Sequence, residues 1–142
     1  MTLAWYKKLV VTVTESETVT AVAQKLRDSR VGCVVVLTDG RPAGIITDRD
    51  LAIRIVADGR DPSATRASDI VTYDPITCEE IDSGLEAVEK LRKHCVRLLP
   101  FVDGRGALVG IVTANDLIVD LGRQLGAVAE SLATSANTTD SR

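Results

Sequence analysis

The chain's hydrophobic and polar positions follow a pattern that is written twice. Val31-Gly32-Cys33-Val34-Val35-Val36-Leu37 is a short apolar run, followed by Asp39-Gly40-Arg41 and then Gly44-Ile45-Ile46-Thr47-Asp48-Arg49-Asp50-Leu51. Further on come Val96-Arg97-Leu98-Leu99-Pro100-Phe101-Val102, Asp103-Gly104-Arg105 and Gly110-Ile111-Val112-Thr113-Ala114-Asn115-Asp116-Leu117. Upstream of each run, Lys25-Leu26-Arg27 returns as Lys90-Leu91-Arg92. The offset between copies is one residue longer at the glycines than at the lysines, which places a one-residue gain in the second copy's Asp-Gly turn. Motifs that recur in one order at nearly constant spacing mark an internal duplication.

Each copy predicts the same elements. A short strand (Val10 to Val13; Ile76 to Cys78) precedes an amphipathic helix. Val19, Val22, Ala23 and Leu26 fall at helical spacing, as do Leu85, Val88 and Leu91, with Thr18 and Ser83 as N-caps. Two strands joined by an Asp-Gly turn follow, the second running Pro42 to Ile46 or Leu108 to Val112. A second helix starts near Asp48 and near Ala114. The fold class is therefore α/β (α+β), a tandem β-α-β-β-α repeat whose apolar strands are covered on both faces. The repeats occupy residues 3–58 and 67–125. A Gly-, Pro- and charge-rich linker covers 59–66, and Ser68 to Val71 opens the second copy with a helical turn. Residues 126–142 read as a fraying helix and a mobile polar tail. Trp5 and Tyr6 are expected to pack the N-terminal turn against the repeats. One repeat of this size is marginal alone, so the two must bury faces against each other.

Composition narrows the function classes. The 142 residues carry 17 Lys+Arg against 20 Asp+Glu, a net charge of −3, which argues against a general nucleic-acid binder. Aromatic residues make up only 3%, so a site built on stacked rings is not expected. The three cysteines have no C-x-x-C spacing and His94 stands alone beside Cys95, which gives no metal site and fits reduced thiols in a cytoplasmic protein. The N-terminus lacks an apolar run with a cleavage site, and no stretch approaches the ~20 residues that cross a bilayer. No P-loop, dinucleotide-binding glycine motif or nucleophile–His pair is present, so no catalytic residues and no enzyme are expected.

The duplicated Gly-h-h-Thr-x-x-Asp heptapeptide (h apolar) at 44–50 and 110–116, the Asp-Gly turns and Asp74-Pro75-Ile76-Thr77 closely resemble the cystathionine-β-synthase (CBS) domain pair, or Bateman module. The resemblance covers about residues 3–125, and the stretch from Thr47 to Leu51 with Gly59 to Pro62 looks like the small stand-alone prokaryotic members.

Thr47 and Asp50, like Thr113 and Asp116, stand where a strand ends and a helix begins. One reading is a cap, in which the threonine hydroxyl and the acid satisfy first-turn amides. The other is a ligand site, in which free amides and the helix dipole meet phosphate and the carboxylate takes a ribose 2′,3′-diol. The resemblance implies the second role for Thr47, Asp50, Thr113 and Asp116, with AMP, ADP, ATP or S-adenosylmethionine as the regulatory ligand and no required cofactor. Positive charge for phosphate comes from Arg49 and Arg97. The family often has a second basic residue after the latter, and Leu98 replaces it here. Asn115 stands where the first copy has Arg49, so the first site is expected to hold phosphate better. The base would lie between Thr12, Val13, Val34 and Val35, with space left by Gly32 and Cys33. His94 reads as a cation at a helix C-terminus. The family also implies a homodimer through the helices near 48–57 and 114–125, and an effector protein downstream. The competing reading is a protein-interaction module with degenerate nucleotide sites.

Overall fold

The computed structural model describes residues 10–139. In the first repeat β1 (Thr12–Val13) leads to α1 (Val19–Ser29), β2 (Cys33–Thr38) and β3 (Arg41–Thr47). Next is α2 (Asp48–Leu51), which continues as a π-helical segment over Ala52–Ala57. A 3₁₀ turn (Ala67–Asp69) and β4 (Thr72–Tyr73) precede the second repeat's β5 (Cys78–Glu79), α3 (Gly84–His94), β6 (Leu98–Val102), β7 (Leu108–Thr113) and α4 (Ala114–Thr139). The duplicated order is the one the sequence predicts. The expected packing of Trp5 and Tyr6 lies outside the described residues.

The sequence explains these elements locally. Thr18 accepts from the Ala21 amide and Ser83 from the Glu86 amide, so both predicted caps form. Both helices end on a left-handed residue, Arg30 or Cys95, each at φ 53°. The next amide in each case, Val31 or Val96, then reaches back to Leu26 or Leu91 (3.1 Å), the Schellman closure. The recurring lysine also has a job. Lys25 Nζ donates to the Thr12 carbonyl (3.0 Å) and pairs with Glu17 (2.7 Å). Lys90 Nζ donates to the Thr77 carbonyl (3.1 Å) and to Asp82 (2.9 Å). In each repeat one ammonium ties the helix to the strand before it. His94 lies in the last turn of α3, where a cation suits the dipole.

Two sheets result, one of four strands in the order β1-β2-β3-β4 and one of three in the order β5-β6-β7. In each, the first two strands pair in parallel and the hairpin is antiparallel. Val34, Val35 and Val36 are all buried, as are Leu99, Pro100 and Phe101, which makes these strands covered on both faces. The first hairpin turns on Asp39-Gly40, both at positive φ, the geometry a two-residue type I′ turn requires. In the second, Asp103 N donates to the Ala107 carbonyl (2.9 Å), leaving three residues in the turn. The one-residue gain is therefore where the repeat offset puts it. Leu108 N donates to the Gly40 carbonyl (3.0 Å) and so ties the two hairpin ends together.

The packing adds several features that the sequence reading did not contain. Residues 67–73 follow the linker in sequence but complete the first repeat in space. Ala67, Ile70 and Val71 belong to the first core cluster, and β4 adds to β3. A two-residue strand shows no alternation, so its pairing was not legible. The linker is also tied down, with Val19 N bonded to the Thr65 carbonyl (2.9 Å) and Ala67 N to the Glu17 carbonyl (2.8 Å). On α3 the core face is Ala87 and Leu91, whereas Leu85 and Val88 are exposed. Finally, α4 does not fray at Gly126 but runs as one 26-residue helix to Thr139.

The β4 crossing explains the first motif glycine. A Cβ on Gly44 would lie 2.7 Å from the Thr72 carbonyl and 2.3 Å from Val71. Gly110 is matched instead to the buried Phe101 ring, 2.2 Å from such a Cβ. Overpacking of this kind costs about 1–3 kcal/mol. Gly44→Ala is expected to lower stability by that amount in urea unfolding, and an unchanged midpoint would contradict the close approach. The lysine ties predict an acid limb. Burial alone would raise the Asp82 carboxyl, but the Lys90 hydrogen bond and charge and the Glu79 amide hold it below the ordinary value. Such a depressed acid contributes stability above its unfolded value of about 3.9, lost as pH falls through the folded one. Asp82→Asn should flatten the decline of the thermal midpoint below pH 4.

Candidate functional site

A cleft of about 1040 Å³ lies between the repeats, at the ends of β2, β3, β6 and β7 where α2 and α4 begin. Thr47, Asp48, Arg49 and Asp50 line one side, and Arg97, Leu98, Thr113 and Asn115 the other. Gly32, Cys33 and Cys95 lie along it, with apolar walls from Ile45, Ile76 and Val96.

Each Thr-x-x-Asp sequence forms the cap. Asp50 Oδ2 accepts from Thr47 N (2.8 Å) and Oγ1 (3.0 Å), and the Thr47 hydroxyl accepts from Asp50 N (3.2 Å). Asp116 Oδ2 accepts from Thr113 N (2.9 Å) and Oγ1 (2.8 Å), and Asp116 N returns to Thr113 Oγ1 (3.3 Å). This geometry restricts how a ligand can be held. In the first repeat Asp48 N donates to the Gly32 carbonyl (3.0 Å) and Arg49 N to Asp48 Oδ1 (2.8 Å). With Asp50 N on Thr47, the first three amides of α2 are occupied. The expected free helix amides are therefore absent there, and anion contacts fall to side chains.

The two junctions share this plan but not its charges. At the second, Ala114 N donates to the Arg97 carbonyl (2.9 Å), which puts Arg97 beside Thr113 and Asn115, where the first repeat has Gly32. The first junction carries a second carboxylate, Asp48, next to Arg49. Asp50 Oδ1 also faces Arg54 Nε at 3.7 Å. Arg54 sits in the π-helical segment, donates to the Ile70 carbonyl, and reaches Thr72 Oγ1 at 3.3 Å. It thus ties the first acid to the segment leading into β4. The position matching Arg54 in the second repeat is Asp120, which accepts from Gln124 (2.7 Å).

The structure brings together Thr47, Arg49, Asp50, Arg97 and Thr113, with Gly32 and Cys33. Asp116 caps its helix without lining the cleft. Val13, Val34 and Val35 are a correction. They are at most 2% exposed; Val13 on the edge strand β1 and Val34 on β2 pack in the first core with Val19 and Val22 of α1, and Val35 on the inner strand β2 is covered as well. Thr12, half-buried on β1, also stays outside the cleft and gives its carbonyl to Lys25. Sequence reading missed Tyr73 to Ile76 as cleft wall. Asp74-Pro75-Ile76 was visible as a motif, but only the β4 pairing turns it toward the junctions. Tyr73, one of the few aromatic residues, stands at the cleft, and its hydroxyl donates to Glu15, which raises its pKa.

Among the described residues no cluster of three His, Cys, Asp or Glu side chains is placed to hold a metal, and no helix is long and apolar enough to cross a membrane.

Paired sheets with a cleft at twin strand-to-helix junctions define a two-repeat binding module. The CBS domain family profile matches residues 7–57 and 67–122, and the chain belongs to that family. It is 40% identical over 110 residues to an uncharacterized protein of Methanopyrus kandleri, covering 77% of this chain and 56% of that one, so the match spans little more than half of that relative. It is 34% identical over 111 residues to the CBS domain-containing protein YhcV of Bacillus subtilis, covering 78% of each chain. Among solved structures it is similar to a CBS domain protein of Pyrobaculum aerophilum complexed with AMP, with 28% identity and a TM-score of 0.75, covering 87% of this chain and 99% of that one.

The three thiols stand in different surroundings. Burial pushes Cys78 up to about 11, with nearby Lys90 lowering it in part. Burial, then the charge of Asp48, raises Cys33. Cys95 is exposed on its left-handed turn. Iodoacetamide on the native chain at pH 8 should label Cys95 first and leave Cys78 unmodified until denaturant is added. Early labelling of Cys78, read by peptide mass, would contradict the placement.

Proposed function

We propose that the chain is a regulatory module that binds an adenosine nucleotide in the cleft between its repeats. One observation carries this reading: the fold gathers Asp50, Thr47, Thr113 and two guanidinium groups, Arg49 and Arg97, from both repeats around one cavity large enough for a nucleotide. The AMP complex of the similar Pyrobaculum protein supports the ligand class. Asp50 Oδ2 is committed to the cap, so Oδ1, which also faces Arg54, accepts from the ribose diol. Arg97 and Arg49 take the phosphate, since the α2 amides are occupied. Ile45, Ile76 and Val96 sandwich the base, with Tyr73 nearby. A ligand touching both repeats favours the arrangement in which both sides meet it, and that differential affinity is the signal passed to an effector protein. Its role is to sense the nucleotide, with no chemical step; CBS-domain pairs are generally regulatory.

Leu85, Val88, Ile118, Ile53 and Val56 are exposed apolar side chains on the helices flanking the module. They support a homodimer through these helices.

A thermal-shift series with AMP, ADP, ATP and S-adenosylmethionine tests the reading. A ligand at 100 times its Kd adds about 2.7 kcal/mol. AMP is expected to raise the midpoint of the parent chain. Asp50→Asn, which keeps an acceptor for the cap, should abolish the rise with an unchanged circular-dichroism spectrum. Arg97→Ala should weaken the response to AMP more than the response to adenosine. No shift with any of these ligands would instead favour a protein-interaction module, to which the occupied amides and Leu98 are suited.

A further inference from the structure

Ile118, Leu121, Leu125, Val128 and Leu132 succeed one another along α4 at alternating spacings of three and four residues. The spacing is that of a coiled-coil a/d seam over two heptads. The five are 58–67% exposed, and every residue from Leu121 to Ala136 is exposed. At 1.5 Å per residue α4 is about 39 Å long, and only its first turns pack against β7 and α3. The remainder holds Gly122 and Gly126, each about 1 kcal/mol less favourable than alanine in a helix, and helices in proteins draw most of their stability from packing an apolar face. The seam therefore requires a covering partner.

We propose that the α4 seam packs on the same seam of a second copy of this chain, forming a two-stranded coiled coil that extends beyond the module. The flanking e and g positions, Gly122, Gln124, Ala129 and Ser131, are uncharged, so two identical helices meet without like-charge repulsion. Arg123 and Glu130 fall on the far side of the helix. Beside the apolar ridge runs a parallel row of small residues, Gly122, Gly126, Ala129 and Ala133, at the same alternating spacing. Each helix thus carries both a ridge and a groove to receive one, the self-complementarity that a two-fold interface demands. The seam is also continuous with the module's own surface, because Ile118 and Leu121 line a groove of about 440 Å³ with Val88 of α3. A bilayer is the poorer occupant. The polar side of the extension carries Asp120, Arg123 and Glu130, a net negative face, where surface-bound helices are rich in Lys and Arg. The inference deepens the homodimer reading above and is independent of the nucleotide reading.

Sedimentation velocity of the full chain over a micromolar concentration series tests it, with the double variant Leu125→Asp/Leu132→Asp and the outer-face variant Glu130→Lys. The seam variant is expected to dissociate at least tenfold more readily and to lose helical signal at 222 nm, with its response to AMP equal to that of the parent. Glu130→Lys should match the parent in all three. Parent-like association in the seam variant, a monomeric parent chain, or Leu125-dependent pelleting of the parent with phosphatidylserine vesicles would each overturn the proposal. The AMP response is read separately, so loss of the seam and loss of the nucleotide site are distinguishable.

Discussion

Two backbone hydrogen bonds organise this molecule, from Asp48 N to the Gly32 carbonyl and from Ala114 N to the Arg97 carbonyl. Each pins the first residue of a helix to the start of a strand that lies one hairpin earlier in the chain. The strand that ends at Thr47 or Thr113 must therefore turn into a helix at one place, and the capping box then fixes the orientation of the acid three residues on. Because these bonds consume amides, the junctions present side chains to the cleft. The same closure that makes the fold sturdy thus decides which chemistry is left for a ligand.

Duplication preserved this scaffold and let its charges diverge. The lysine ties and the caps recur nearly atom for atom, because each satisfies backbone groups that would otherwise be buried without partners. Positions that face the cleft carry no such obligation. Arg97 stands opposite Gly32, Asn115 opposite Arg49 and Asp120 opposite Arg54. One side of the cleft is richer in carboxylates and the other holds Arg97, just before β6. A ligand that spans both sides meets an asymmetric field, although the backbone around it is close to two-fold.

The outward faces carry a second theme. Both cores are compact, yet the helices around them expose ten large apolar side chains. Their concentration on α3 and α4 marks a surface shaped for association, whereas apolar residues scattered singly would need no explanation. The module's inner cleft and its outer helices meet at the start of α4, so a change at the junction has a direct mechanical route to whatever those helices hold.

Much of this was legible in the residues. Recurring motifs revealed the repeats, Thr18 and Ser83 their helix starts, and Thr47 to Asp50 and Thr113 to Asp116 the junctions, because caps, turns and helical periodicity are local signals. What local signals cannot carry is pairing at a distance. Nothing in Thr72-Tyr73 announces that it completes the first sheet, so the packing of Ile70 and Val71 in the first core was not foreseen and Tyr73 to Ile76 were missed at the cleft. Val13 and Val34 look like any apolar strand residues, and only the helix packed over them decides that they are core. The Ala, Ser, Thr and Asn residues after Gly126 suggested a fraying helix, whereas the chain stays helical to Thr139. Sequence determined the units and their capped joints through interactions spanning a few residues. Tertiary structure alone decided which strand joins which sheet and which side chains face the cleft, since both depend on contacts between segments that lie far apart along the chain.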